Sequence, residues 1–362
     1  AASPGATAAD QEAMTAYMQT MQRGIRHSLD DLVRGEIRLT LAPTGWNLDL
    51  ESRMRAGSPS ATFLNQQARH ASRAAQLFSA DAALRMVSHV RLTETIREET
   101  KALLPRFRTM LDSRLAALPD LTPQQREAGQ KATETYLGLM DKWLGQKEAE
   151  SALEVHLPDV ANISLTSWTP FPDSASSMEA ILAMFEHIPL LTGQTAATVS
   201  RNMLQYRDTA LHRLELPTSQ SPAPPGSMFL AAPNNYLTFH FGASPEPLKG
   251  LLDRIQSTAA QAPTPTDALF RLELFLAPLL KLAAQQGAIQ NPAAAILAER
   301  VQQGPQEPLL LELLTPQDSA TLRYTTPGPV VQAVAEVAGQ HIMQQMRGGG
   351  TQNTRPGNKP KP

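Results

Sequence analysis

The chain has 362 residues, of which 42% are hydrophobic and 18% charged, and its 32 basic and 34 acidic side chains leave a net charge of −2. That balance excludes the clustered cation excess that phosphate backbones and anionic membranes attract. The absence of cysteine excludes disulfides, thiol catalysis and thiolate metal sites.

The small-residue start Ala1–Ala9 reads as a mature end left by a signal peptidase, so export is expected. Residues 10–34 are predicted helical, because Met14, Tyr17, Met18, Met21, Ile25, Leu29 and Leu32 recur at spacings of three and four. Gly35 is expected to stop that helix. A hairpin follows. Ile37, Leu39 and Leu41 alternate with Glu36, Arg38 and Thr40, a turn falls at Pro43–Gly45, and Leu48 and Leu50 alternate with Asn47, Asp49 and Glu51. Gly57–Ser58–Pro59 opens a helix over 60–78, and Ala83–Leu92 reads as a strand. From Thr93 to Leu144 the pattern is helical, divided by Pro105, Pro119 and Pro123, with Thr122 as a cap.

The strand–turn–strand–loop–helix unit then recurs. Ser151–Leu157 pairs with Asn162–Trp168 before a helix from Ser177, and Met228–Ala231 pairs with Tyr236–Phe241 before a helix from Pro245. Pro308–Leu313 pairs with Ala320–Tyr324 before a helix opened by Pro327–Gly328–Pro329. Between these units, 190–204 reads as helix or turn, 205–217 as a strand and 218–226 as a linker. Asp267–Gln286 reads as a very apolar buried helix, and 292–303 as a shorter one. No apolar run reaches the ~20 residues of a bilayer span. The longest, Leu272–Leu282, is broken by Glu273, Pro278 and Lys281.

The fold class expected is α+β: repeated β-hairpin-plus-helix units forming a curved antiparallel sheet packed against helices. The chain divides into an N-terminal segment 1–33, two pseudo-repeated halves 34–191 and 192–346, and a basic tail 347–362 expected to be disordered.

No P-loop, dinucleotide fingerprint, His-Glu-x-x-His, Gly-x-Ser-x-Gly, Asp-Thr-Gly or EF-hand pattern occurs. Weaker constellations remain. Asp49 and Glu51 stand two apart on one strand, hence on one face, as the paired acids of a carboxylate hydrolase would. The plainer reading is a solvated strand face opposite Arg38 or Arg53. His89, His156 and His240 fall on polar strand faces and could converge with Glu154 and Asp49, in the manner of metal ligands. Scattered surface histidines are the plainer reading, and the site carries no expected metal. Phe239, Phe241, Phe270, Leu272, Phe275 and Leu276 could line a greasy cavity or simply form core. Trp168, in Trp168–Thr–Pro–Phe171, reads as a loop aromatic that could stack on a sugar or pack under its loop. The binding candidates are therefore His156, His240 and Trp168, and the catalytic candidates Asp49 and Glu51.

The stretch Glu36–Leu92, with Leu48–Asp49–Leu50, Gly57–Ser58–Pro59 and Ser79–Ala–Asp81–Ala–Ala–Leu–Arg–Met86, resembles exported α+β proteins of planctomycete and verrucomicrobial bacteria. The resemblance implies an exported bacterial protein and carries no catalytic residue. The function expected is that of an envelope or extracellular binding or structural protein without a cofactor. Its partner would be an extracellular protein, a glycan or a hydrophobic ligand, and not nucleic acid. Two alternatives accompany it. One is a secreted, aspartic-type hydrolase of extracellular proteins or of glycoproteins such as mucin. The other is a lipid carrier.

Overall fold

Period-two alternation dominates the chain and builds one large sheet. The computed structural model describes residues 8–42, 44–68, 70–118, 121–160, 162–192, 198–215, 227–287, 292–304 and 306–348. The order begins with α1 (Ala8–Asp31), β1 (Leu32–Ala42), β2 (Gly45–Met54), α2 (Pro59–Gln67), β3 (His70–Ser72), a 3₁₀ turn (Ala74–Leu77) and β4 (Leu84–Arg91). Next come α3 (Glu94–Ala117), α4 (Pro123–Leu144), β5 (Glu148–His156), β6 (Ser164–Pro170), α5 (Ser174–Thr192), β7 (Thr198–Tyr206) and β8 (Thr209–Glu215). The chain continues with β9 (Ser227–Ala231), β10 (Tyr236–Gly242), α6 (Glu246–Thr258), β11 (Thr264–Thr266) and β12 (Ala268–Leu274). It closes with α7 (Leu276–Gln285), α8 (Pro292–Gln303), β13 (Leu309–Leu314), β14 (Ser319–Pro327) and α9 (Gly328–Gly348). The α+β class with an antiparallel sheet is thus the architecture observed. No helix among the described residues is long and apolar enough to cross a membrane.

The 12-stranded sheet has the order β1-β2-β14-β13-β12-β4-β5-β6-β10-β9-β8-β7, and β3 pairs with β11 apart from it. Strands of the two halves therefore share one sheet. The order is symmetric about the β4–β12 contact. Exchanging β1, β2, β4, β5 and β6 for β9, β10, β12, β13 and β14 reproduces it, with β7 and β8 appended beyond β9. Hairpin centres and registers then set Glu312 in the place of Glu154, Arg271 in that of Arg85, and Asp49 in that of His240. The repeat is a pseudo-twofold one, a relation that strand order shows and linear sequence does not.

Adjacent residues of a strand enter opposite sides of the sheet. Phe229 joins Ala74, Leu77, Val87, Ala152, Trp168, Leu248, Leu251 and Ile255, a core made under the 3₁₀ turn and α6. Its neighbour Leu230 joins Phe171, Met178, Ile181, Leu182, Leu214 and Leu237, a core made under α5, with Leu139 and Trp143 of α4 behind. The cap expected at Thr122 holds, where Thr122 with Gln125 forms a capping box on α4; Ser58 caps α2 by accepting from the Ala61 amide, and α5 begins at Ser174, ahead of the start expected at Ser177. Gly45, at positive φ, lies against the Thr326 carbonyl where a Cβ would collide.

Several expectations are corrected. The helix expected over 60–78 ends at Gln67, because residues 70–72 leave it to pair with β11. The expected helix 267–286 is strand β12 followed by α7. Phe270, Leu272 and Leu274 face one side of that strand, and a register shift between Ala268 and Phe270 turns Ala268 to the other. The alternating Arg271 and Glu273 on the other side were the strand signal. Residues 198–204, expected as helix or turn, belong to strand β7, which turns at Arg207 (φ 53°) into β8, a strand within the 205–217 expected to hold one. Strand β1 starts at Leu32, so Gly35 lies within a strand and stops no helix. Pro105 lies inside α3 without dividing it. Helix α1 buries Ala13 and Ala16, whereas its apolar stripe of Met14, Met18, Met21, Ile25 and Leu29 is exposed. The linker 218–226 and most of the tail lie outside the described residues.

Gln67 ends α2 fully buried and ties it to β4. Its amide donates to the Arg91 carbonyl (3.0 Å) and accepts from the Arg91 amide (2.7 Å). Gln67→Ala removes both bonds in a site closed to water. The expected loss is about 2 kcal/mol in urea unfolding. A loss under about 0.5 kcal/mol, the level of an ordinary surface change, would show that the tie is dispensable.

Candidate functional site

Among the described residues a cleft of about 770 Å³ lies between the ends of β5, β6 and β10 and helices α6 and α7. Its charged floor starts from β5. Leu153 and Val155 face one side of that strand, so Glu154 and His156 face the other, toward α6 and the 3₁₀ turn. Glu154 is fully buried, and a buried carboxylate persists only with partners. It has two hydrogen-bond partners, Arg254 Nη2 at 2.6 Å and the Ser79 amide at 2.7 Å, and His156 Nε2 stands 3.4 Å away. Arg254 rises from α6 and also donates through Nε to the Leu77 carbonyl (2.6 Å), so one guanidinium fastens helix, 3₁₀ turn and sheet. His156 lies between two carboxylates, its Nδ1 being 3.6 Å from Asp81 Oδ2. The Ser79 hydroxyl donates to Asp81 and holds that carboxyl below the usual range.

His240 stands on β10, directly opposite Thr166 of β6, and its Nδ1 is 2.8 Å from the Thr166 hydroxyl. It is fully buried, and burial pushes its pKa down to about 4, so the ring is neutral at pH 7. Among the described residues Nε2 has no hydrogen-bond partner, and either tautomer leaves it one bond to give or take. Gly242 keeps this nitrogen clear, since a Cβ there would sit 2.7 Å from it. The remaining walls mix apolar residues (Leu157, Pro158, Pro247, Ala277, Pro278) with polar groups (Asn162, Ser164, Ser244, Gln302, Gln306, Lys281).

Of the sequence candidates, His156, His240 and Glu154 are brought together here. Trp168 is not a loop residue. It lies in β6, fully buried and packed edge-on against Phe78 at 5.2 Å, so its ring is closed to a sugar. Asp49 and Glu51 share a face of β2 as expected, away from the cleft. Asp49 is held by Arg323 at 2.8 and 3.2 Å, and Glu51 is in register with Glu36 and Thr321. His89 lines a different cavity, of about 620 Å³. None of the six residues of the proposed greasy cluster lines the cleft. Among the described residues no three His, Asp or Glu side chains are grouped to hold a metal ion. Sequence reasoning passed over Ser79, Asp81, Arg254, Gln302 and Gln306. Arg254 left one trace, a cation between the core residues Leu252 and Ile255 of an otherwise amphipathic helix.

At the pseudo-equivalent position, Arg323 occupies the place of Thr166 and binds Asp49, and Arg271 lies 3.4 Å from Glu312. One half therefore closes this position with ion pairs, and the other opens it as a cleft. Compared with protein-family models, with curated proteins and with solved structures, the chain matches none.

Proposed function

We propose that the protein is a cofactor-free binding protein whose ligand is a neutral, hydroxyl-rich molecule of the carbohydrate class, seated over Glu154, His156 and His240. The observation that carries the reading is a cleft of small-ligand size whose neutral amides and hydroxyls surround a neutral, buried histidine. The charged groups of the floor are already paired: Glu154 with Arg254, and Asp81 near His156. A net-charged ligand gains little from such a floor. The neutral donors and acceptors around it (Asn162, Gln302, Gln306, Ser164) suit hydroxyls instead. Export belongs to the proposal, because this chemistry uses no thiol that an oxidising compartment would consume. The carboxylate-hydrolase alternative gains no support from Asp49, whose oxygens face Arg323.

The test is a crystal soak with neutral mono- and disaccharides, set beside apolar fragments of equal size. Saccharide density in the cleft, lost in Gly242→Val, is the expected result. A cleft that takes only apolar fragments, or stays empty while other surfaces fill, would overturn the reading.

A further inference from the structure

The two halves finish their outer edges differently. Strand β9 is covered by β8, with Met228 in register with Leu214 and Leu230 with His212. Leu214 and Leu230 are fully buried there. Strand β1 holds the pseudo-equivalent place and, among the described residues, pairs with β2 alone. Ile37 and Leu39 correspond in position to Met228 and Leu230, yet they are 75% and 57% exposed, and Leu41 is 74% exposed. An 11-residue edge strand with an open ladder and an apolar row is a template for adding another strand.

The sequence of β1 states which strand fits. Laid antiparallel against itself about Ile37, it sets Glu36 opposite Arg38 and Arg34 opposite Thr40, with Leu41 reaching the irregularity between Leu32 and Arg34. Ile37 meets its own copy, and Leu39 lies over Gly35, which leaves it room. Each close charge contact is between opposite signs, and the apolar row meets an apolar row. Moving the centre to Glu36 or to Arg38 places like charges opposite one another and breaks this match. In the single chain Glu36 already draws Arg34 and Arg38 to itself, at 2.6 and 2.7 Å, so these groups are gathered at the edge. We propose that two copies of the chain associate through antiparallel pairing of their β1 strands, centred on Ile37, and extend the sheet across a twofold axis.

The test uses the full chain in sedimentation equilibrium with three kinds of variant. Wild type is expected to dimerise. Glu36→Arg alone and Arg38→Glu alone each set like charges across both symmetric contacts and should weaken the dimer about tenfold. Mixing these two variants should restore association, because one chain then brings a cation to each of the two contacts and the other chain a carboxylate. As the chain has no cysteine, Ile37→Cys adds a single thiol on the proposed axis. It should oxidise to a linked dimer much faster than Val160→Cys, an exposed control away from β1. A monomer at every concentration would overturn the proposal. So would a dimer indifferent to both charge variants, or equal oxidation of the two cysteine variants.

Discussion

Arg254→Met is expected to destabilise the protein by about 3 kcal/mol, measured by chemical denaturation at pH 7. The reason is an asymmetry between the partners. Glu154 is fully buried, whereas the Arg254 side chain keeps a quarter of its surface exposed (26%). Removing the guanidinium leaves a carboxylate that water cannot reach, and breaking a buried pair in this way typically costs about 3–5 kcal/mol. The Ser79 amide remains as partial support, which places the expectation at the lower end. Removing the other charge is milder. In Glu154→Gln the orphaned cation can turn toward water and keeps its bond to the Leu77 carbonyl, so a loss of about 1 kcal/mol is expected. The double variant Glu154→Gln/Arg254→Met should recover much of the difference, since neither charge is then stranded. Equal losses in the two single variants would show that the burial asymmetry does not govern the pair. A loss below about 1 kcal/mol for Arg254→Met would show that the pair does not fasten α6 to the sheet.

This pair also marks how far the sequence could be read. The four hairpins were legible because apolar and polar residues alternate along them, so Leu48–Asp49–Leu50 and Leu237–Thr238–Phe239 declare strands directly; which face is buried was not legible, since Ile37, Leu39 and Leu50 are exposed whereas Thr238 and His240 are buried. Strand β12 was not, because it lies between β4 and β13 and its apolar residues run on into α7 without a turn residue. Helix and strand periods cannot be separated over so short a run. The short strand β3 was hidden for another reason. Its partner β11 is almost 200 residues away, and three residues carry no periodicity. In the cleft, Glu154, His156 and His240 were visible as polar residues alternating with apolar ones. Their meeting was not, because β5 and β10 become near neighbours only through the sheet order, with β6 between them. Arg254 and Glu154 stand 100 positions apart. The exposed stripe of α1 shows the opposite error. Its spacing is that of a buried face, and spacing alone cannot say whether a partner surface exists within the same chain.

The acid sensitivity of the fold should depend on His240 more than on any exposed histidine. In the unfolded chain its imidazole takes a proton near pH 6.5, whereas in the folded protein burial holds the pKa at about 4. Between these values the unfolded state binds the proton and the native state does not. The contribution of His240 to stability is therefore complete above about pH 6.5, falls as pH drops through that range, and levels off below about pH 4. The full difference amounts to about 3 kcal/mol, most of which is lost by pH 4.5. Other buried groups act in the same interval. Burial lowers the pKa of His212 and adds to the loss, and burial raises that of Glu150, which favours the native state as the pH falls. The wild-type profile is thus a sum, and a variant isolates one part of it. His240→Asn keeps a polar atom to meet the Thr166 hydroxyl but cannot titrate. It creates a small void and should be less stable than wild type at pH 7. Its further loss between pH 7 and pH 4.5 should nevertheless be smaller than that of wild type by about 2 kcal/mol, read from denaturation midpoints and slopes at both pH values. If the two proteins lose stability in parallel, the proton that drives acid unfolding binds elsewhere, and His240 is not the neutral, water-excluded group that the cleft is built around.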